Sequence, residues 1–142
     1  MILDPNDVAG IRKAEAMAVS CVGIDFDGVI HRYSGYKGNR LEDLDEPMPG
    51  IKKFIETLIA QGIRVKVFTA RGTKTGEETR DSVRRWLKKY GFPELEVTNI
   101  KHADIDLIID DRAIQFRPHL VEDDEEIGYF VERVKTFQPY WK

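Results

Sequence analysis

The stretch VGIDFDGVI, residues 22–30, decides how the fold is interpreted, because an apolar run ends there in two aspartates one residue apart. Side chains alternate along a β-strand, so Asp25 and Asp27 point the same way and crowd two negative charges together. A structural explanation exists, since strand ends are often polar and Asp-Gly is a common turn signal. The sequence on either side of this stretch shows whether the two aspartates indicate a simple turn or a reactive site.

On both sides of this strand the chain alternates between strand-like and helix-like patterns. Strands are predicted at about 20–26, 63–70, 95–98 and 107–109, and helices at 6–16, from residue 51, around 83–90 and from residue 127. The last helix presents a stripe that includes Ile127, Phe130 and Val134. Strands that alternate with helices of this length predict a parallel sheet with right-handed crossovers. The expected fold class is therefore α/β: a three-layer sandwich around a mainly parallel, Rossmann-like sheet.

Length and composition indicate one globular domain over residues 1–142. Of the residues, 42% are hydrophobic and 33% charged, which is typical of a soluble protein. The net charge of −3 argues weakly against non-specific nucleic-acid binding, although a local basic patch remains open. A single cysteine, Cys21, excludes an intramolecular disulfide, and no stretch has the length of a membrane span. These features predict a cytoplasmic protein with no membrane partner.

Polar residues follow the predicted strands where ligands bind in open α/β sheets, at the carboxyl ends. They are Asp25 and Asp27, then Thr69, Ala70 and Arg71, then Lys101, and finally Asp110 and Asp111. Carboxylates gathered there would cost several kcal/mol each unless they shared protons or a cation. An all-oxygen set suits Mg2+, and an aspartate can act as a nucleophile towards phosphorus. Thr69 and nearby amides can hold phosphate oxygens while Lys101 balances their charge.

In these residues the sequence resembles the haloacid dehalogenase-like phosphatase superfamily. The four motifs are DFDGV at Asp25–Val29, Thr69 within VKVFTAR, Lys101, and the acidic pair Asp110 and Asp111 of LIIDD. The resemblance therefore spans residues 22–111.

The resemblance implies a role for each motif residue. Asp25 would be the nucleophile and a Mg2+ ligand. Asp27 would protonate the leaving oxygen, then activate water, and its carbonyl would reach the metal. Thr69 would bind phosphate oxygen and Lys101 would stabilise the intermediate. Asp111 would bind the metal directly, with Asp110 behind it or on a metal-bound water.

The interval between Asp27 and Thr69 is too short for a cap domain. After the helix from residue 51 is counted, residues 31–49 suffice for a turn and a small β-hairpin flap. Uncapped relatives tend to act on nucleic-acid ends or proteins, or use a neighbouring subunit as a lid. The segments TARGTKTGEETR and IDDRAIQF also look like the phosphatase domain of phage-type polynucleotide kinase, in which a basic residue stands where Arg71 does. These likenesses predict a phosphorylated substrate, with nucleotides and nucleic-acid ends among the candidates, and leave a homo-oligomer open.

Several alternatives remain open. The chain could be a sugar or metabolite phosphatase, a phosphotransferase, or a non-catalytic binding or regulatory module on the same scaffold. A signalling receiver domain uses similar residues, but in a different order along the chain. The scattered histidines, His31 among them, are interpreted as surface or core residues. The aromatic tail FQPYWK, residues 137–142, either packs back on the sheet or meets a second subunit.

Overall fold

The computed structural model describes residues 18–72 and 77–142. The strands in these ranges are β1 (Cys21–Asp25), β2 (Arg64–Phe68), β3 (Glu96–Thr98) and β4 (Leu107–Ile109). The helices are α1 (Ile51–Ala60), α2 (Glu77–Lys89) and α3 (Asp124–Thr136), with short 3₁₀ helices at Leu41–Asp43 and Pro118–Val121. Each predicted strand within these ranges is found, to within two residues at each end. The helix predicted over 6–16 lies outside the described residues.

The four strands form one parallel sheet in the order β3-β2-β1-β4. The fold is the predicted α/β Rossmann-like sandwich. In the register, Asp25 of β1 lies opposite Phe68 of β2, and Ile24 lies opposite Ile109 of β4. β2 and β3 lie on one side of β1, and β4 lies on the other side. In open α/β sheets, the crevice at such a switch of direction is where ligands bind.

The apolar patterns of α1 and α2 become the core. Ile55 of α1 and Val83 and Trp86 of α2 are fully buried together with Ile24 and Val67 of the sheet. Burial of side chains of this size stabilises a fold by about 1.5–3 kcal/mol each. The core therefore holds β1 and β2 rigidly beneath the polar residues at their carboxyl ends.

The last helix, α3, is found where the sequence predicts it, but its apolar stripe is not buried. Asp123 caps it by accepting a hydrogen bond from the Glu126 N–H at 2.9 Å. Ile127 and Val134 are nevertheless 41% and 59% exposed, and none of the helix's residues counts as buried in the described structure. A helical spacing of apolar residues thus predicted the helix correctly, and in the described structure its apolar stripe is exposed. None of the helices in the described ranges is long and apolar enough to cross a membrane.

Residues 31–49, which we call the flap, lie between β1 and α1. They contain a 3₁₀ helix and one isolated antiparallel bridge, between His31 and Pro47, in place of the predicted hairpin. Proline has no N–H and cannot continue a ladder of hydrogen bonds. The indole N–H of Trp86 donates to the Asp45 carbonyl at 2.7 Å and fastens the flap to α2. All residues from Asp27 to Thr69 are described, and they form the flap, α1 and β2 with no cap domain.

Candidate active site

Three carboxylates meet at the switch point of the sheet. Asp25 ends β1, and Asp110 and Asp111 follow β4 directly. Because Ile24 and Ile109 are paired in the register, the residues after them emerge side by side from neighbouring parallel strands. One oxygen from each of the three aspartates lies within 4.8 Å of the others. The structure therefore gathers these three sequence-predicted residues into one acidic group.

Two oxygens of this acidic group lack the partners that buried carboxylates require. Asp25 Oδ2 and Asp111 Oδ1 are buried and accept no hydrogen bond from the described residues. Burial, the adjoining Asp111 carboxyl group and the charges of Asp110 and Asp111 raise the pKa of Asp25 to about 9. Buried carboxylates without partners favour either protonation or a bound cation. Because every donor atom is an oxygen, the group fits a hard divalent ion such as Mg2+.

Asp27 has the opposite environment, although it lies only two residues further along the chain. The Arg71 guanidinium donates two hydrogen bonds to its carboxylate, Nε to Oδ2 at 2.8 Å and Nη2 to Oδ1 at 3.0 Å. Nδ1 of His31 lies 2.7 Å from Oδ1. Burial alone would raise the pKa of Asp27, but the hydrogen bonds from His31 and Arg71 outweigh it and lower this pKa. Two neighbouring carboxyl groups with opposed pKa shifts are the pattern expected of groups with separate roles.

His31 was not recognised from the sequence as part of the site. Its ring is 2% exposed and stacks on Phe26 with centroids 5.1 Å apart. Nε2 accepts a hydrogen bond from the Asp45 N–H at 2.8 Å, so in the neutral ring Nδ1 carries the hydrogen and donates to Asp27. His31 thus orients the Asp27 carboxylate. The sequence held no signal for this contact beyond the position of the histidine, four residues after Asp27.

Arg71 joins Asp27 to the flap. Besides the two bonds to Asp27, its Nη1 donates to the Gly38 carbonyl at 2.6 Å and to Asn39 Oδ1 at 3.0 Å. The residue is 7% exposed. The sequence suggested that Arg71 binds the phosphate of a substrate. The structure places its guanidinium on a carboxylate and on the flap, and these contacts use most of its donors. Phosphate binding by Arg71 stays a prediction.

The remaining sequence-predicted residues lie at the ends of β2 and β3. Thr69 is 2% exposed, its N–H donates to the Thr98 carbonyl at 3.0 Å, and its Oγ1 accepts the Arg71 N–H at 3.0 Å. Ala70, between them, is exposed. Lys101 is also exposed and makes no hydrogen bond or ion pair with the part of the chain that the structure describes. Its proposed role in charge balance stays a prediction.

The glycine of the DFDGV motif has two steric reasons to be there. Gly28 has φ +91°, a conformation that residues with a side chain rarely adopt. A Cβ atom on Gly28 would also lie 2.2 Å from Asp111 Oδ2. The turn after β1 can therefore approach Asp111 only because residue 28 has no side chain.

The C-terminal residues pack against the acidic group. The Tyr140 hydroxyl donates to the Gly28 carbonyl at 2.5 Å, and the Trp141 indole N–H donates to Asp111 Oδ2. The Trp141 ring meets Tyr33 of the flap edge to face, with centroids 4.8 Å apart. Of the two placements that the sequence left open for this tail, the structure shows that it packs back on its own chain, at the candidate site.

Comparisons with known proteins bear on the fold. No protein-family model matches the sequence, and no curated protein matches it. Among solved structures, a conserved protein from Bacteroides thetaiotaomicron is 20% identical with a TM-score of 0.51, over 84% of this chain and 93% of that one. A D,D-heptose 1,7-bisphosphate phosphatase from B. bronchiseptica, complexed with magnesium and phosphate, is 17% identical with a TM-score of 0.41, over 83% of this chain and 65% of that one.

A hypothetical protein from Pyrococcus horikoshii OT3 is 28% identical, with a TM-score of 0.35. The match covers 63% of this chain and 26% of that protein. The likeness to the Bacteroides protein shows that this α/β fold occurs in another protein.

Proposed function

We propose that the protein is a Mg2+-dependent phosphate monoester hydrolase that works through an aspartyl-phosphate on Asp25. The observation that carries the proposal is the group formed by Asp25, Asp110 and Asp111 at the switch point of the sheet, beside a separately oriented Asp27. The order of the sequence motifs, which resembles that of haloacid dehalogenase-like phosphatases, supports the same chemistry.

The acidic group would hold the metal ion. Asp25 and Asp111 each have a buried oxygen without a partner, and Asp110 lies within reach of both. The Asp27 carbonyl is a further candidate ligand. A bound Mg2+ would neutralise part of the negative charge that the carboxylates and the phosphate of the substrate bring together.

Asp25 and Asp27 would divide the reaction between them. A carboxylate oxygen of Asp25 attacks phosphorus, the bond from phosphorus to the leaving oxygen breaks, and the leaving oxygen takes a proton from Asp27. Asp27 then removes a proton from a water molecule, which attacks the aspartyl-phosphate and releases inorganic phosphate and free Asp25. Since His31 and Arg71 lower the pKa of Asp27, the environment is best matched to its second task, as a base.

The phosphate would be bound at the end of β2. Thr69 and the N–H groups of the following residues are candidates to bind the phosphate oxygens, and Lys101 is a candidate to balance the phosphate charge.

We assign Arg71 a positioning role, because it orients Asp27 through two hydrogen bonds and connects Asp27 to the flap. Phosphorylated nucleotides and nucleic-acid ends are the first substrates to test, followed by sugar phosphates.

The test is phosphate release from a panel of nucleotides, sugar phosphates, phosphopeptides and phosphorylated oligonucleotides. The reactions are run with Mg2+, with a chelator, and with the variants Asp25→Asn and Asp124→Asn. Asp124 is an exposed acidic residue of the first turn of α3 and serves as the matched control. We expect Mg2+-dependent release from the unmodified protein and from Asp124→Asn, and none from Asp25→Asn. Absence of release from folded protein on every substrate would reject the hydrolase.

A further inference from the structure

A cavity of about 460 Å3 lies between the flap and the C-terminal residues. Its apolar walls are Tyr33 and Met48 of the flap and Tyr140 and Trp141 of the C-terminus. Pockets that hold small organic ligands have volumes of about 300–1,000 Å3. The cavity is therefore large enough for the leaving group of a small ester.

The cavity adjoins the candidate site because one of its wall residues contacts the acidic group and a second contacts the turn after β1. Trp141 donates its indole N–H to Asp111 Oδ2, and Tyr140 donates its hydroxyl to the Gly28 carbonyl. Trp141 and Tyr33 both line the cavity, and their rings meet edge to face. A ligand in the cavity would thus contact the two residues, Tyr140 and Trp141, that join the cavity to Gly28 and Asp111.

The charges around the cavity balance one another. Arg32 pairs with Glu46 at 3.2 Å and Lys37 pairs with Asp45 at 3.2 Å, and all four residues line the cavity. Binding of a nucleic-acid backbone depends on cations that neutralise several phosphates. Arg32 and Lys37 are already paired with carboxylates, so they offer no excess positive charge for several phosphates. They do offer hydrogen-bond donors and acceptors to the hydroxyl groups of a sugar.

We propose that this cavity binds the nucleoside part of a mononucleotide, with Trp141 as a specificity-determining residue that stacks on its base. The proposal rests on the hydrolase function proposed above and narrows its substrate class. The C-terminal residues would then take the place of a cap domain, because they form the wall that contacts the leaving group. A terminal phosphate on a long nucleic acid is the less suitable substrate, because both cations among the described residues of the cavity wall are paired with carboxylates.

The kinetic test compares adenosine 5′-monophosphate with ethyl phosphate, whose leaving group has no ring to stack on Trp141. Trp141→Ala should lower kcat/KM about 5- to 150-fold for adenosine 5′-monophosphate, mainly through KM, as expected when a stacked base loses its aromatic partner. The same variant should change kcat/KM for ethyl phosphate much less. Trp141→Phe keeps a ring but loses the N–H, so it should retain most of the preference for the nucleotide. Tyr129→Ala, which removes a 59% exposed ring of α3 outside the cavity, is the matched control.

Two kinetic outcomes would overturn the proposal. Equal losses on both substrates would mean that Trp141 acts only through Asp111. A preference for a 5′-phosphorylated oligothymidylate over the mononucleotide, or a gain on that oligonucleotide when Trp141 is replaced, would mean that the C-terminus obstructs a site built for polymers.

A binding test keeps failure of this inference separate from failure of the hydrolase function. Asp25→Asn does not consume the ligand, and Trp141 fluorescence in that variant should be quenched saturably by adenosine 5′-monophosphate with Mg2+. The quenching should vanish in Asp25→Asn/Trp141→Phe, where the fully buried Trp86 is the one tryptophan left to be excited selectively at 295 nm or above. Quenching without phosphate release from the unmodified protein would reject the hydrolase and keep the nucleotide site. Phosphate release without quenching would reject the nucleotide site and keep the hydrolase.

Discussion

At the scale of single residues, Asp25 and Asp27 show how one short motif separates two carboxyl groups. Asp27 is oriented by His31 and Arg71, and these partners lower its pKa. Asp25 has an oxygen without a partner, and its pKa is raised. The alternation in the sequence suggested that the two side chains repel each other. The structure shows that only Asp25 belongs to the acidic group, while the charge of Asp27 is balanced by Arg71.

Asp25→Asn should make the metal-free protein more stable while it removes catalysis. In the folded protein, Asp25 either keeps a proton or adds its charge to those of Asp110 and Asp111. In the unfolded chain, Asp25 can ionise in water, away from these charges. We expect the free energy of unfolding to rise by about 1–3 kcal/mol in chelator, the usual penalty of a buried polar group without a partner. Denaturant titration measures it, with Asp124→Asn as the control. Equal or lower stability of Asp25→Asn would show that Asp25 is not under strain.

Gly28→Ala should destabilise the protein and disturb Asp111. The positive φ of Gly28 and the 2.2 Å approach of a Cβ to Asp111 Oδ2 both oppose the methyl group. We expect a loss of more than about 1 kcal/mol in the free energy of unfolding. The matched control is Gly128→Ala in α3, where a Cβ would meet nothing within 4 Å and the better helix former should be neutral or stabilising. Similar effects of both substitutions would contradict the steric account.

At the scale of the elements, the ion pair of Arg71 and Asp27 couples the loop after β2, the turn after β1 and the flap. Arg71→Lys keeps the charge but loses the two-bond geometry on Asp27 and one contact to Gly38 or Asn39. We expect phosphate release to slow by about 10- to 100-fold, the usual effect of a residue that orients a functional group. Arg64→Lys, at an exposed ion pair with Asp104, is the control.

The kinetic signature separates orientation from phosphate binding. If Arg71 positions Asp27, the loss should fall mainly on kcat. A loss that appears only in KM would instead indicate that Arg71 contacts the substrate phosphate.

The start of β1 is held by the carboxylate of Asp106, which precedes β4. Its Oδ2 accepts hydrogen bonds from the Ser20 N–H at 2.9 Å, the Ser20 hydroxyl at 3.0 Å and the Cys21 N–H at 3.2 Å. These bonds, those from Ser20 foremost, lower the pKa of Asp106. A folded-state pKa below the unfolded one means that the stabilisation is present above the unfolded pKa of about 3.9 and is lost as the pH falls through the folded value.

Asp106→Asn should therefore be less stable than the unmodified protein at neutral pH, and the difference should shrink as the pH is lowered below about 4. Unfolding curves measured from pH 7 down to the acid transition give both free energies. A difference that is constant over this range would mean that the ionised form of Asp106 contributes nothing to the connection between β1 and β4.

At the scale of the whole molecule, the periodic patterns predicted what is local and repetitive. The strands around Ile24, Val67 and Ile109 were recognisable because apolar residues alternate or cluster there. The gathering of Asp25 with Asp110 and Asp111 was predictable because the carboxyl ends of parallel strands meet at one edge.

The contacts that sequence patterns missed join distant positions through single side chains. Arg71 reaches Asp27 over 44 residues, and Trp141 reaches Asp111 over 30. No periodicity encodes such pairs, since each depends on how whole elements pack. The exposure of the apolar stripe of α3 was not predictable for a related reason: helical spacing reveals that a face is apolar but not what covers it.

The central claim is that Asp25 carries the phosphoryl group during turnover. The most direct measurement uses Asp27→Asn, in which the base for hydrolysis is lost, mixed with p-nitrophenyl phosphate and Mg2+ and quenched in acid within the first turnover. This ester has a good leaving group, so the first step should survive the loss of the acid. We expect a burst of one nitrophenol per active site and a phosphoryl group on Asp25 in the peptide mass spectrum. A burst with the phosphoryl group on another residue, or steady release with an unmodified Asp25, would contradict it.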